Sequence, residues 1–572
     1  MTNDEISEVF RNIGNLLQIK GDDSFRARIY DRAAEKIDEL SADLHRLAEE
    51  GTLRSIPGIG KAIEQKIIEM LETGRCRFYD NLIQEMGAEV IDLIAIRGVG
   101  VKTAGRFYNE LGVKSLSDLR AAVDGDRLQQ MQRMGAKTIA SIDEGLRFLE
   151  AQRKMRQRRQ ILPIADAVFD ALENCSDIKR LDFTGDFRRR EEVLQSLELV
   201  AECGCAQGVV EVLSEVRGVV SPVIQDDVRV VASVDGGFPL RVCCTTGAEY
   251  EATLVITTGA DAHLSRLNRI AASQDIEAIG EQLPDWSKHK TESGIYGQLG
   301  LSFIVPELRG GADSIEAALV DNLPTLIEQG DLRCDLHMHT NWSDGRGTIR
   351  QMVETAASLG HEYIAITDHS KSSRIANGLT PERLSAQIQQ VREINAEIDG
   401  MEVLAGSEVD ILKDGSLDFP DELLAQLDIV IASVHEGLSM SESEMTDRII
   451  RAIKNPYVTI IGHPTGRLLG RRPGYAVNLE AVIDAAAAHH VALEINAAPS
   501  RLDLEPGPVR QARDRGVLLS VNTDAHSVPD LERALFGINV ARRGWLEKTD
   551  VLNTYSLAAV KEMMAGRVRG SE

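Results

Sequence analysis

Between residues 333 and 570 one pattern recurs seven times: a short apolar, β-branched run, then a stretch with apolar residues at helical spacing. The runs are 333–340, 362–369, 401–412, 427–437, 457–464, 491–496 and 517–526. After the first run, Ile349, Met352, Val353, Ala356 and Ala357 mark a helix. Strand alternating with helix requires a parallel sheet, because each crossover returns the chain to the same end. Seven such units in about 240 residues fit a closed barrel better than an open sheet. Nearly every run ends on a polar residue. In barrel enzymes the strand C-termini converge, and the chemistry sits there.

Those run ends hold His337, His339, Asp344, His369, Glu408, His435, His463, Asp524 and His526. Imidazole and carboxylate without thiol suit Zn²⁺, Mn²⁺ or Fe²⁺. Nine ligands exceed the needs of one ion, so two or three divalent metals sharing carboxylates are expected, an arrangement suited to phosphate esters. Singly, His463 before a proline would be a loop histidine, and Asp368 and Asp410 would serve as helix caps. The order His-x-His, Asp-His, Glu-x-Asp, His, His-Pro, Asp-x-His resembles the PHP (polymerase and histidinol phosphatase) domain family over about 333–570. The resemblance implies a distorted seven-stranded βα barrel with three metals. It would group His337, His339, Glu408 and Asp524 on one ion, Glu408, His435 and His526 on a second, and Asp344, His369 and His463 on a third.

The 572 residues predict several domains. No apolar run reaches membrane-spanning length and no signal pattern opens the chain, so a soluble, cytoplasmic protein with no membrane partner is expected. Seven cysteines without a CxxC pair fit reduced thiols. The net charge of −25 argues against nucleic-acid binding over the whole chain, but residues 1–160 carry 26 basic and 26 acidic groups, so the excess lies downstream.

Residues 1–150 have helical patterning, with Ile6, Val9, Phe10, Ile13, Leu16 and Leu17 on one stripe. Two glycine turns interrupt it, Ile56-Pro-Gly58-Ile-Gly60-Lys61 and Ile96-Arg-Gly98-Val-Gly100-Val-Lys102. Such turns present backbone N–H groups to a phosphate at the next helix N-terminus. They resemble helix-hairpin-helix motifs, with a weaker echo at Met134-Gly-Ala-Lys137. They would grip DNA without reading its sequence. Lys66 resembles the Schiff-base lysine of the lyase domain of DNA polymerase beta; a phosphate-binding or solvated lysine is the plain alternative. Arg153, Lys154, Arg156, Arg158 and Arg159 form a basic stretch, read as a solvated helix face or linker.

Residues 160–310 resemble the core of family X DNA polymerases. Gly185-Asp-Phe-Arg188-Arg189 is similar to that family's Gly-Ser-x-Arg-Arg, and Thr257-Thr-Gly259 through His263 to its Thr-Gly-Ser-x-x-His. With its flanks, the chain resembles the bacterial PolX family throughout. The departures bear on chemistry. Ser196, Glu198 and Pro239 stand where the family places three metal-binding aspartates, and Ile256 and Thr257 replace its aromatic pair. Asp182, Asp186, Glu191, Glu192 and Asp235 are the nearby carboxylates. A core inactive in Mg²⁺ binding and nucleotidyl transfer is therefore expected.

The resulting expectation is multidomain α plus α/β: a helical DNA-binding domain at 1–150, a degenerate polymerase palm and thumb at 151–312, and a PHP phosphoesterase barrel at 333–572. The expected activity is 3′–5′ exonuclease, with abasic-site endonuclease or 3′-end cleaning, on gapped or nicked DNA, alongside other repair proteins. Arg374 and Arg467, just past ligand-bearing runs, are candidates to steady the phosphate. The alternatives are an active gap-filling polymerase, a small-molecule phosphatase and a non-catalytic scaffold.

Overall fold

A computed structural model describes residues 1, 3–22, 24–38, 44–49, 51–56, 58–96, 99–132, 134–153, 155–226, 228–234, 236–274, 276, 289–374, 376–398, 400–470 and 472–570. Contacts divide the chain into Met1–Lys154 and Met155–Glu572. The expected palm and barrel thus pack as one body.

The first unit is helical. Ile6, Phe10, Ile13, Leu16 and Leu17 are buried on helix Asn3–Lys20, as their spacing requires, and Val9 packs at the edge of that core. Each glycine turn leads into a helix. Gly60 caps Lys61–Thr73 and Gly100 caps Val101–Leu111, both in extended conformation.

The second unit begins with β1 (Arg156–Gln157). A five-stranded mixed sheet follows, built from β2 (Ile178–Phe183), β4 (Leu197–Cys203), β5 (Val219–Asp226), β6 (Arg229–Val234) and β7 (Phe238–Thr245). Its order is β2-β4-β7-β6-β5, and only β4 and β7 run parallel. The short β3 (Val193–Leu194) pairs with β1 instead. Of the basic stretch, Arg158 packs into this layer while Arg159 is exposed. The Arg158 guanidinium lies 4.0 Å over the Phe187 ring and donates to Phe187 O at 2.7 Å. Burial lowers Arg158 to about 10, so this one arginine departs from the expected solvated face. Lys154 lies outside the described residues.

All seven expected barrel strands form: β8 (Cys334–Asp335), β9 (Tyr363–Ile366), β10 (Glu402–Asp410), β11 (Ile429–Ser433), β12 (Ile460–Ile461), β13 (Ala492–Asn496) and β14 (Leu519–Asn522). They are parallel and in sequence order. A bridge between Met338 and Ala525 brings the ends together, leaving the barrel nearly closed. Period-two alternation sorts the strand residues. Ile364, Val403 and Val430 face the helices, while Tyr363, Leu404 and Ile429 face inward. Leu552 and Val560 join that inner cluster and close its N-terminal end. Both faces are buried, which explains the nearly continuous apolar runs.

Candidate metal centre

The nine ligand-type residues converge at the barrel's C-terminal end. His337, His339 and Asp344 follow β8, His369 follows β9, Glu408 lies on β10, His435 follows β11, His463 follows β12, and Asp524 and His526 follow β14. His337 and His339 are fully buried and Glu408 is 1% exposed. The Asp344 and His526 side chains, at 32% and 38%, face the solvent side.

Three sets emerge. His337 Nε2 lies 3.6 Å from both Glu408 Oε2 and Asp524 Oδ1. His339 Nε2 lies 3.7 and 3.1 Å from the same oxygens. Ligands bound at about 2.0–2.2 Å in a tetrahedron are about 3.3–3.6 Å apart, so this set fits one ion. The other Glu408 oxygen, Oε1, lies 3.2 Å from His435 Nε2 and 2.9 Å from His463 Nε2. Glu408 therefore offers one oxygen to each of two sets, as a bridging carboxylate does. In the third set Asp344 Oδ2 lies 3.5 Å from the Nε2 atoms of both His369 and His526. These sets differ from the expected second and third groups, and His369 also reaches Glu408, its Nδ1 lying 2.8 Å from Oε2. β12 neighbours β11, so His463 meets Glu408 and His435, whereas His526 sits across the β14–β8 seam beside Asp344.

His337 also shows that the site suits a cation. Its Nδ1 bonds Glu494 Oε1 at 2.7 Å, which leaves Nε2 buried, without a hydrogen-bond partner, and aimed at two carboxylates. A carboxylate behind a ligand histidine fixes its ring and tautomer.

This outer layer was not assigned from the sequence. Glu494, on β13, accepts from His337, from His463 N at 2.7 Å and from Asn522 Nδ2 at 2.9 Å. Asp410 holds His435 Nδ1 at 2.5 Å and takes Ser373 Oγ at 2.8 Å. Asp368 accepts from Thr340 N at 2.8 Å and Thr340 Oγ1 at 2.6 Å, orienting the loop that carries Asp344. Asp368 and Asp410 are thus supports of the site and not helix caps. The usable signal was the alternation on β10 and β13, where a polar residue in an apolar run must point at something polar.

The charges are finely opposed. Burial works against protonating His337, His369 and His435. The neighbouring carboxylates, led by Glu494 for His337 and Glu408 for the other two, outweigh it and raise all three, His435 to about 9. Burial likewise opposes charge on His526, but its bond to Asp344 raises it to about 8. His339 is driven down to about 4 by burial and by facing His526 and His369. Glu408 and Asp524 stay well below the usual carboxylate range despite burial, because His435 and His337 respectively stand beside them. His463 and Asp524 hold φ of 28° and 52°, and Leu502 nearby 46°. Such conformations cost about 1–3 kcal/mol each and need surrounding support.

Of the two arginine candidates, Arg374 is exposed on its loop. Arg467 is 8% exposed and tied to Glu192, Glu505 and the carbonyls of Arg501 and Leu502. Four of its five N–H donors are thereby spent inside the protein, which argues against the phosphate-steadying role expected for it. Arg501, missed in the sequence, has Nε 3.7 Å from Asp524 Oδ2 and its side chain 21% exposed.

In the palm, Ser196 Oγ donates to Glu198 Oε1 at 2.7 Å. Arg241 Nη1 donates to Glu198 Oε1 at 2.7 Å and to Ser196 Oγ at 2.9 Å. Pro239 pairs with Ser233 on β6. A guanidinium thus spans Ser196 and Glu198. Asp182 accepts from Tyr250, and Asp186, Glu191 and Glu192 pair with Arg189, Arg543 and Arg467. Asp235 lies outside the described residues.

In the first unit Gly58 has φ 93°, so glycine is required there. A Cβ at Gly60 or Gly100 would meet nothing within 4 Å, so both turns have open space beside them. Lys61 and Lys102 are exposed in the first turns of their helices. Gly98 lies outside the described residues. Lys66 Nζ is 5.2 Å from the Phe78 ring centroid and 5.9 Å from that of Tyr30.

Comparison with known proteins agrees with this layout. Models for a helix-hairpin-helix domain, the fingers domain of DNA polymerase lambda and the PHP domain match residues 1–76, 92–141 and 335–498. The chain is 33% identical to the DNA polymerase/3′–5′ exonuclease PolX of Bacillus subtilis (strain 168), covering 98% of this chain and 99% of that one. A probable phosphatase of Thermoanaerobacter sp. (strain X514) is 32% identical, covering 41% of this chain and 95% of its own length.

Proposed function

The chain belongs to the PolX family, whose members join a family X polymerase to a PHP domain, and from that premise we propose that it is a metal-dependent 3′–5′ exonuclease acting on gapped or nicked DNA. The observation that carries this reading is the Glu408 carboxylate, which offers an oxygen to each of two histidine sets at the barrel mouth. By this reading His337, His339, Glu408 and Asp524 hold one ion, Glu408, His435 and His463 a second, and Asp344, His369 and His526 a third. Bound divalent ions would supply an activated water and neutralise charge developing on the phosphate. The protein's own groups do the rest. Glu494 and Asp410 fix the His337 and His435 rings, and Arg501 supplies a fork of donors to a phosphate oxygen beside Asp524. The half-exposed Asp344 and His526 mark the side from which a strand end enters.

The helix-hairpin-helix turns would hold the DNA backbone through Gly58, Gly60, Lys61, Gly98, Gly100 and Lys102. The proposed domains are 1–150, 151–312 and 333–572. The palm is proposed to be inactive in nucleotidyl transfer, because Ser196, Glu198 and Pro239 offer one carboxylate, already paired with Arg241. Phosphomonoester hydrolysis is a second reading, favoured by the phosphatase relative of the barrel. The test uses 5′-labelled gapped duplex and a nucleoside monophosphate, each with chelated protein and after Mn²⁺ is restored. Stepwise shortening from the 3′ end, restored by Mn²⁺, supports the exonuclease. Metal-dependent release of phosphate with intact DNA would support the second reading instead.

A further inference from the structure

Arg467 of the barrel reaches across to the palm at Glu192 while holding three groups of its own domain. It lies on the loop after β12, four residues past His463. Its Nη2 donates to Glu192 Oε2 of the palm at 2.8 Å and to Leu502 O, its Nε donates to Arg501 O at 2.9 Å, and its Nη1 pairs with Glu505. One guanidinium thus joins a palm carboxylate to the peptide groups of 501 and 502. Leu502 holds one of the positive φ angles, at 46°. The Arg501 side chain leaves this segment toward Asp524.

The same loops are tied at two further points. Asp503, fully buried, accepts from Thr465 N at 3.0 Å and Thr465 Oγ1 at 2.9 Å, which fastens the segment two residues beyond His463. Gln157 of β1 donates to Leu469 O at 2.6 Å, and Leu469 N donates to Ser500 O at 2.7 Å. Glu192 has a side chain only 12% exposed, and burial raises its pKa despite Arg467 and Arg543. A buried charge is retained at a cost, and its best-attested use is to fix one arrangement among several.

We propose that the palm acts as a positioning element of the nuclease: Glu192, through Arg467, sets the 501–503 segment so that Arg501 and His463 stand in working geometry. This rests on the reading of the barrel mouth as the hydrolytic site. It gives a core without its aspartates a continuing use, and it makes Glu192 and Arg467 positioning residues that never touch substrate. Catalytic groups displaced by about 1 Å can lose about a hundredfold in rate, so a slackened clamp should show in turnover.

The test uses the full chain with Mn²⁺ and 5′-labelled gapped DNA. Glu192→Gln keeps the shape and removes the charge. It should lower kcat by about tenfold or more while KM stays within about twofold. DNA affinity and bound-metal content should match the parent. Amide exchange should quicken in 465–470 and 497–505 and stay unchanged in β10 and β11. Glu192→Asp should regain part of the loss. Gln157→Ala, which slackens the same loop without stranding a buried charge, should show a smaller fall of the same kind. It decides the matter should Glu192→Gln fail to fold. Parental kcat in folded Glu192→Gln, or a loss that appears only with exchange rising throughout the barrel, overturns the proposal. An inactive parent protein would instead count against the proposed nuclease itself.

Discussion

Arg501 and the histidines around Glu408 set the chemistry at the residue scale. Replacing Arg501 by alanine removes a charge-assisted contact of about 1.5–3 kcal/mol, so kcat/KM on DNA should fall about 10- to 100-fold. Arg501→Lys should recover little, since an ammonium offers no fork. Steady-state kinetics at constant metal occupancy checks this, and unchanged kcat/KM in the alanine variant contradicts it. The raised imidazoles give a second expectation. Without metal, His435 and His526 stay protonated up to about 9 and about 8. Their stabilisation of the metal-free fold is fully present below the ordinary imidazole value of about 6.5 and fades as pH rises through 8 and 9. Mn²⁺ must displace those protons, so its affinity should climb over the same window. Calorimetric titration at pH 7 in buffers of different ionisation enthalpy should register proton release; none would refute the assignment. The nine ligand-type residues were legible because each repeats at one topological position. Glu494, Asp410 and Arg501 were not. The first two carried only the strand alternation as a signal, and nothing in the sequence distinguishes Arg501 from Arg467 until burial does.

At the scale of elements, the seven strands were legible because both faces are buried, which turns each into an apolar run. Which histidines share an ion was not, since that depends on which strand ends are neighbours after the barrel curves round. The glycine turns were legible for a different reason: glycine beside a helix start is a backbone requirement, met at Gly58 by its φ of 93°. Lys61 is the first residue and Lys102 the second of the helix that follows each glycine turn. Each lysine, replaced by alanine, should weaken DNA binding equally for different sequences and flatten the salt dependence by about one unit. Binding isotherms across a salt series test this. A sequence-dependent loss or an unchanged slope would rule out backbone gripping.

At the scale of the whole molecule, the palm and barrel share one body through Glu192, Arg467, Arg543 and Gln157, an interface that no local pattern announces. Ser196, Glu198 and Pro239 could be placed by position in the sequence, but the guanidinium that meets Glu198 was visible only once β4 and β7 were side by side. Primer extension across a one-nucleotide gap should be undetectable, with or without a working barrel. Extension surviving loss of the barrel site would show that a neighbouring carboxylate such as Asp186 holds the metals. The account turns on the barrel mouth, and the most direct measurement there compares His339→Ala with the parent protein on end-labelled gapped DNA in Mn²⁺. His339 is fully buried between the His337–Asp524 pair and Asp344, so its loss should empty part of the centre. The predicted result is a folded protein that binds DNA normally and leaves its 3′ end intact; parental shortening of that end by the folded variant would contradict the account.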